Sequence, residues 1–208
     1  MDDLVRLGPR DTAAGRGFTD PDATAPDLAA SSRMLAELEH QVRQGEAGPP
    51  RARPVVVERL EATGRLHRAI LFDERRLGDG RDLVWVGFFG VKRPDVDRAP
   101  LTAMDDELVR ELPGHPNILS YSSLELVDGD WGNLILLDGD QAGEHWRTSE
   151  RHAYAARELA PRHYVHVRLH QGVLPGGARP GSALVLRRTK NYDYREGVTW
   201  RAEREWPP

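Results

Sequence analysis

The chain has no cysteine. That excludes disulfide frameworks, zinc ribbons, iron–sulfur clusters and thiol nucleophiles, so a metal site would have to rest on imidazole or carboxylate. No apolar run approaches the roughly 20 residues that span a bilayer. The N-terminus has acids and prolines where a secretory signal places a basic segment and an apolar run. A cytoplasmic protein without a membrane partner is the expectation. Lysine is nearly absent, two against 27 arginines, an imbalance that reflects coding bias rather than a ligand, because surface arginine is ordinary. The formal charge of −4 comes from the first 50 residues, and beyond them acids and bases balance. No basic face gathers, so no nucleic-acid partner is expected.

At 208 residues the chain suits one domain with an appendage. Residues 1–25 mix Gly, Pro, Asp, Thr and Ala with few large apolar side chains, and read as a flexible N-terminal lead. Residues 26–50 read as an amphipathic helix and a Pro-rich joint: Leu28, Leu35, Leu38 and Val42 recur at helical spacing after Pro26, with Gly48-Pro49-Pro50 beyond. This helix docks either on its own domain or on a partner.

Residues 51–208 form the body. Two β-like runs, 54–61 and 66–73, flank Thr63-Gly64 as a hairpin, and the bulky run Leu83 to Val91 is a buried strand. Pro100 opens a helix with Leu101, Met104, Leu108 and Leu112 on one stripe. Strands over 118–127 and 131–137 follow around Asp128-Gly129-Asp130, then a helix capped by Thr148 or Ser149, then a strand from Tyr164 to Val173. The order from Leu83 is β-α-β-β-α-β, an α+β ferredoxin-like arrangement with extra flanking strands. Both helices of such a sheet lie on one face, and a second copy is the economical cover for the other. A homodimer of the dimeric α+β barrel type is therefore expected.

Five of the eight histidines fall between Trp131 and His170. Imidazole titrates near neutral pH and ligates metals and haem iron, so a chemical site is sought there. Tyr164, His166, Arg168 and His170 alternate with Val165, Val167 and Leu169, which places the polar four on one strand face. His166 or His170 offers a proton donor or acceptor, and Arg168 a positive fork for a carboxylate or developing oxyanion. Asn133, a mid-strand amide, needs a polar partner.

The run His145-Trp146-Arg147-Thr148-Ser149-Glu150-Arg151-His152, directly after a strand, resembles the H-x-x-S-x-x-H helix pattern of antibiotic-biosynthesis-monooxygenase-type domains, members of the dimeric α+β barrel superfamily. The resemblance covers residues 83–173. It implies a small-molecule-transforming enzyme of specialised metabolism, acting on a hydrophobic or aromatic substrate by oxygenation or related redox or elimination chemistry, with haem as the leading cofactor. His152 is then an axial haem ligand or a general base, with His145 and Trp146 beside the cofactor. His166, Arg168, His170 and Asn133 act on the substrate. The alternative is a non-catalytic ligand-binding or protein-interaction domain of the same fold.

Overall fold

Runs rich in Val, Leu, Phe and Tyr pair into one nine-stranded sheet. The computed structural model describes residues 4–48, 53–97, 99–115, 117–139 and 149–207. In chain order the elements are β1 (Val5–Leu7), two 3-10 turns (Gly17–Thr19 and Pro21–Thr24), α1 (Ala25–Ala47), β2 (Val55–Leu60), β3 (Leu66–Leu71) and α2 (Glu74–Leu77). Next come β4 (Leu83–Lys92), α3 (Ala99–Glu111), β5 (Ile118–Glu125) and β6 (Trp131–Leu137). A continuous helical stretch, α4 (Glu150–Tyr154), a π turn (Ala155–Leu159) and α5 (Ala160–His163), leads into β7 (Tyr164–Leu174), β8 (Val185–Asp193) and β9 (Trp200–Glu205).

The strand order is β1-β9-β8-β7-β4-β6-β5-β3-β2, antiparallel except where β1 runs parallel to β9. This overturns the small ferredoxin-like dimeric barrel. The four strands expected to form a complete sheet are only its middle, because β3 pairs with β5 on one side and β8 with β7 on the other. The argument for a second copy as cover also falls, since the chain covers that face with its own α1.

Helix α1 carries Ala30, Met34, Leu35, Leu38 and Val42 at helical spacing, and these pack on Leu71, Trp85, Leu134 and Leu136 of the sheet. Met34 and Leu38 have no exposed surface, and each stabilises the fold by roughly 1.5–3 kcal/mol through burial. The helix is core, which decides between the two alternatives in favour of docking on its own domain. Residues 4–24, expected as a flexible lead, are also built in: β1 extends the sheet, and Arg204 on β9 donates to the carbonyls of Gly8, Asp11 and Thr19. Composition hid this because backbone carbonyls and a single aromatic ring, Phe18, carry much of the attachment.

Helices α3 and α5 lie on the opposite face, over Val86, Phe88, Ile135 and Leu169. Ser149 caps α4 by accepting from the His152 amide, and its hydroxyl donates to Glu111 at 3.0 Å, tying α4 to the end of α3. Among the described residues no helix is long and apolar enough to cross a membrane.

Candidate functional site

One irregularity decides which side chains meet. Along β4 and β7, Phe89 pairs with Arg168 and Val91 with His166, but the next residue, Lys92, pairs with Tyr164. This bulge puts an extra residue into β7 and reverses the alternation beyond it, since side chains change face with every residue. Tyr164 therefore leaves the face shared by His166, Arg168 and His170. It lies on the α3 side, with Phe88 and Val167.

On the α1 side the expected histidines form a closed network. Asp27 in the first turn of α1 accepts from Arg168 through both oxygens, at 2.6 and 3.0 Å, and from His170 Nε2 at 2.9 Å. His170 Nδ1 lies 2.9 Å from Thr189 Oγ1, which also accepts from Trp206 Nε1 at 2.9 Å. A carboxylate only accepts, so His170 Nε2 donates its proton to Asp27, and the Thr189 hydroxyl accepts from the indole, which only donates. Burial alone would raise the Asp27 pKa, but the hydrogen bonds and charges of His170 and Arg168 outweigh it and hold the carboxyl below its usual range. The order Asp, His, Thr is that of a nucleophile relay, yet His170 and Thr189 are both 0% exposed. No substrate reaches them, and the network acts as a lock between α1, β7, β8 and the C-terminus.

His166 is covered as well. Its ring stacks on Phe18 at 4.3 Å and 15°, and burial, then the nearby Arg168 charge, push its pKa down to about 4.

The α3 side holds a different constellation. Asn133 Nδ2 on β6 donates to the Tyr121 hydroxyl on β5 at 2.8 Å, and that hydroxyl donates to Asp105 Oδ1 on α3 at 2.9 Å. Arg68 on β3 donates to Asp105 Oδ2 at 3.1 Å. Burial, then the Asp105 charge, push the Tyr121 phenol well up, so it stays a neutral donor. Farther along the same face Tyr164 meets the Phe88 ring edge-on at 5.4 Å. Its ring lies over Gly90, where a Cβ would come within 2.5 Å of it, so only glycine admits the ring there. Lys92 lies beside Asp130 at 3.9 Å and donates to the Gly129 carbonyl.

Helix α3 covers this face loosely. It has an apolar stripe, but none of its residues is buried, and Val84, Val86, Phe88, Asn133, Ile135 and Leu169 beneath it stay partly open.

The expected site residues are thus divided by the sheet. Asn133 lies in the α3 cleft, His166, Arg168 and His170 lie on the α1 face, and His152 sits half-buried on α4. His145 and Trp146 lie outside the described residues. Tyr121, Asp105 and Arg68 escaped sequence reasoning. The one usable signal was the Asp128-Gly129 hairpin, which fixes Tyr121 within reach of the Asn133 amide.

The described residues do not fit haem. His166 is capped by Phe18, both nitrogens of His170 are engaged, and Ala156, one turn beyond His152, faces solvent and offers no wall for a flat ligand. The neighbouring cavity, about 500 Å³, is lined by Glu111, His115, Ser149, Glu150 and Arg151, a charged set unsuited to a porphyrin face. Among the described residues no three His, Asp or Glu side chains are placed to hold a metal ion.

No family model matches the chain, and no curated protein matches it. Among solved structures it is similar to protein SO0527 from Shewanella oneidensis at 13% identity, over 45% of this chain and 93% of that one, with a TM-score of 0.37. A likeness of that size carries no argument about fold or activity, and no family is assigned.

Proposed function

We propose that the protein binds a small, mainly apolar molecule in the cleft between α3 and the sheet. The observation that carries this reading is α3 itself: an amphipathic helix with no buried residue, lying over a half-open apolar floor that has a hydrogen-bonded polar string at one end. Ligand sites combine these features, an apolar wall with a few converging polar groups. The small-molecule class expected from the sequence is retained, and its polar centre moves from the histidines to Asn133, Tyr121 and Asp105.

The test is a titration with 2-ethylnaphthalene, followed by backbone amide NMR shifts. Saturable binding is expected, with shifts gathered at Phe88, Tyr121, Asn133 and α3. Absence of binding, or shifts centred on His166 and Arg168 across the sheet, overturns the proposal.

A further inference from the structure

Residues 8–20 run as a strap over the α1 face of β7, β8 and β9, and the strap is held more lightly than what it covers. From Gly8 to Phe18 none of its residues is buried, whereas Asn191 and Arg204 beneath are each 1% exposed. Asn191, paired in register with Arg168 and Ala202, has neither its amide nitrogen nor its amide oxygen hydrogen-bonded among the described residues. Native structures rarely leave buried polar atoms idle. A segment with so few buried contacts opens at low cost while the strands below stay closed.

The strap sets a ring and a row of oxygens on this floor. The Phe18 ring stacks on His166 at 4.3 Å and stands edge-on to Trp200 at 6.5 Å. The next carbonyl, that of Thr19, accepts from Arg204 at 2.8 Å, as do the carbonyls of Gly8 and Asp11. Among the described residues Arg204 donates to no carboxylate, and the acids whose charges offset its burial, Asp11 and Asp20, both belong to the strap. The remaining floor charges are matched without it, Arg168 by Asp27 and Asp193 by Arg195, each at 2.6 Å. His166 is neutral at pH 7, since burial holds its pKa at about 4. Lifting the strap therefore uncovers a ring slot, an unpartnered amide and an unmatched cation. Ala202, opposite Asn191, lies midway between Trp200 and Arg204 on β9, so the amide stands between slot and cation.

We propose that residues 8–20 are a displaceable strap over a binding site for an aromatic carboxylate. The ligand's ring takes the place of Phe18 between His166 and Trp200, and its carboxylate takes the place of the strap carbonyls on Arg204, with the Asn191 amide donating to it. This site lies across the sheet from the α3 cleft and does not depend on it.

Two probes test the proposal, 4-phenylbutanoate and its uncharged amide, 4-phenylbutanamide, against the unaltered protein and Phe18→Ala. The closed strap lowers apparent affinity by the fraction of molecules that are open, so Phe18→Ala is expected to bind the acid about tenfold more tightly than the unaltered protein does. In that variant the acid should also bind about tenfold more tightly than the amide, with resonance shifts at the Asn191 side-chain amide and the Trp200 indole. In the unaltered protein the acid should speed hydrogen exchange at the Ala13 and Thr19 amides, which are bonded within the strap, and leave β7 unchanged. A folded Phe18→Ala that gains no affinity for the acid overturns the proposal, as do shifts gathered on the α3 face. Equal affinity for acid and amide overturns the carboxylate and the role of Arg204. If Phe18→Ala does not fold, the exchange measurement decides alone: strap amides that open only with β7, with or without the acid, overturn the strap.

Discussion

The Asp27 carboxylate on α1 and the His170 imidazole on β7, 143 residues apart in the chain, meet at 2.9 Å in the interior, with Arg168 on the same carboxylate. Replacing Asp27 by Ala leaves a guanidinium without its anion and an imidazole without its acceptor. Removing one partner of a buried pair costs about 3–5 kcal/mol. Urea unfolding of Asp27→Ala should show a loss in that range, whereas a loss below about 1 kcal/mol would mean that the network does not hold α1 to the sheet.

His166 makes stability depend on pH in a defined window. Its pKa is about 4 in the folded protein against an ordinary 6.5. As pH falls, the unfolded chain takes up the proton first, so the stabilisation is full above about 6.5 and is lost progressively toward 4. His166→Phe keeps a ring on Phe18 and removes the titration. Between pH 6.5 and 4 its stability should fall less steeply than that of the unaltered protein, by up to about 1.4 kcal/mol per pH unit. Denaturant midpoints measured across this window decide the matter, and parallel curves would count against it.

Gly172 faces Trp85 across the β4–β7 pair. A Cβ there would lie 2.0 Å from the Val185 carbonyl and 2.5 Å from Trp85 Nε1, which donates to that same carbonyl at 3.2 Å. Gly172→Ala must displace a backbone or expel a fully buried indole, at a cost of about 1–3 kcal/mol or more. Thermal unfolding and near-ultraviolet dichroism of the tryptophans should both change, and a variant with native melting behaviour would contradict this packing.

Deletion of residues 1–47 separates core from appendage. Because α1 supplies Met34, Leu35, Leu38 and Val42 to the main cluster, the remainder should lose cooperative unfolding in calorimetry. A truncated chain that folds and melts cooperatively would restore the idea that this segment serves a partner.

Local elements were largely legible. The Thr63-Gly64 and Asp128-Gly129 turns marked real hairpins, the Ser149 cap opened a helix, and the stripe Leu28 to Val42 was a helix that buries its apolar side. Short β1 and polar β9 were not legible, because Val5–Leu7 is too short to show a period, Trp200–Glu205 carries a single large apolar side chain, and β1 pairs with a strand at the other end of the chain.

The sequence by itself determined where most of the strands and helices form, since turn glycines, caps and apolar periods act within a few residues. Tertiary structure alone decided which groups share a chamber. A single bulge at Val91/Lys92 moved Tyr164 across the sheet, and the burial of Asp27 converted Arg168 and His170 from candidate reagents into structural partners. Facing direction depends on register, and the sign of an ionisable group's contribution depends on what is packed against it. Both are set by contacts between segments more than seventy residues apart.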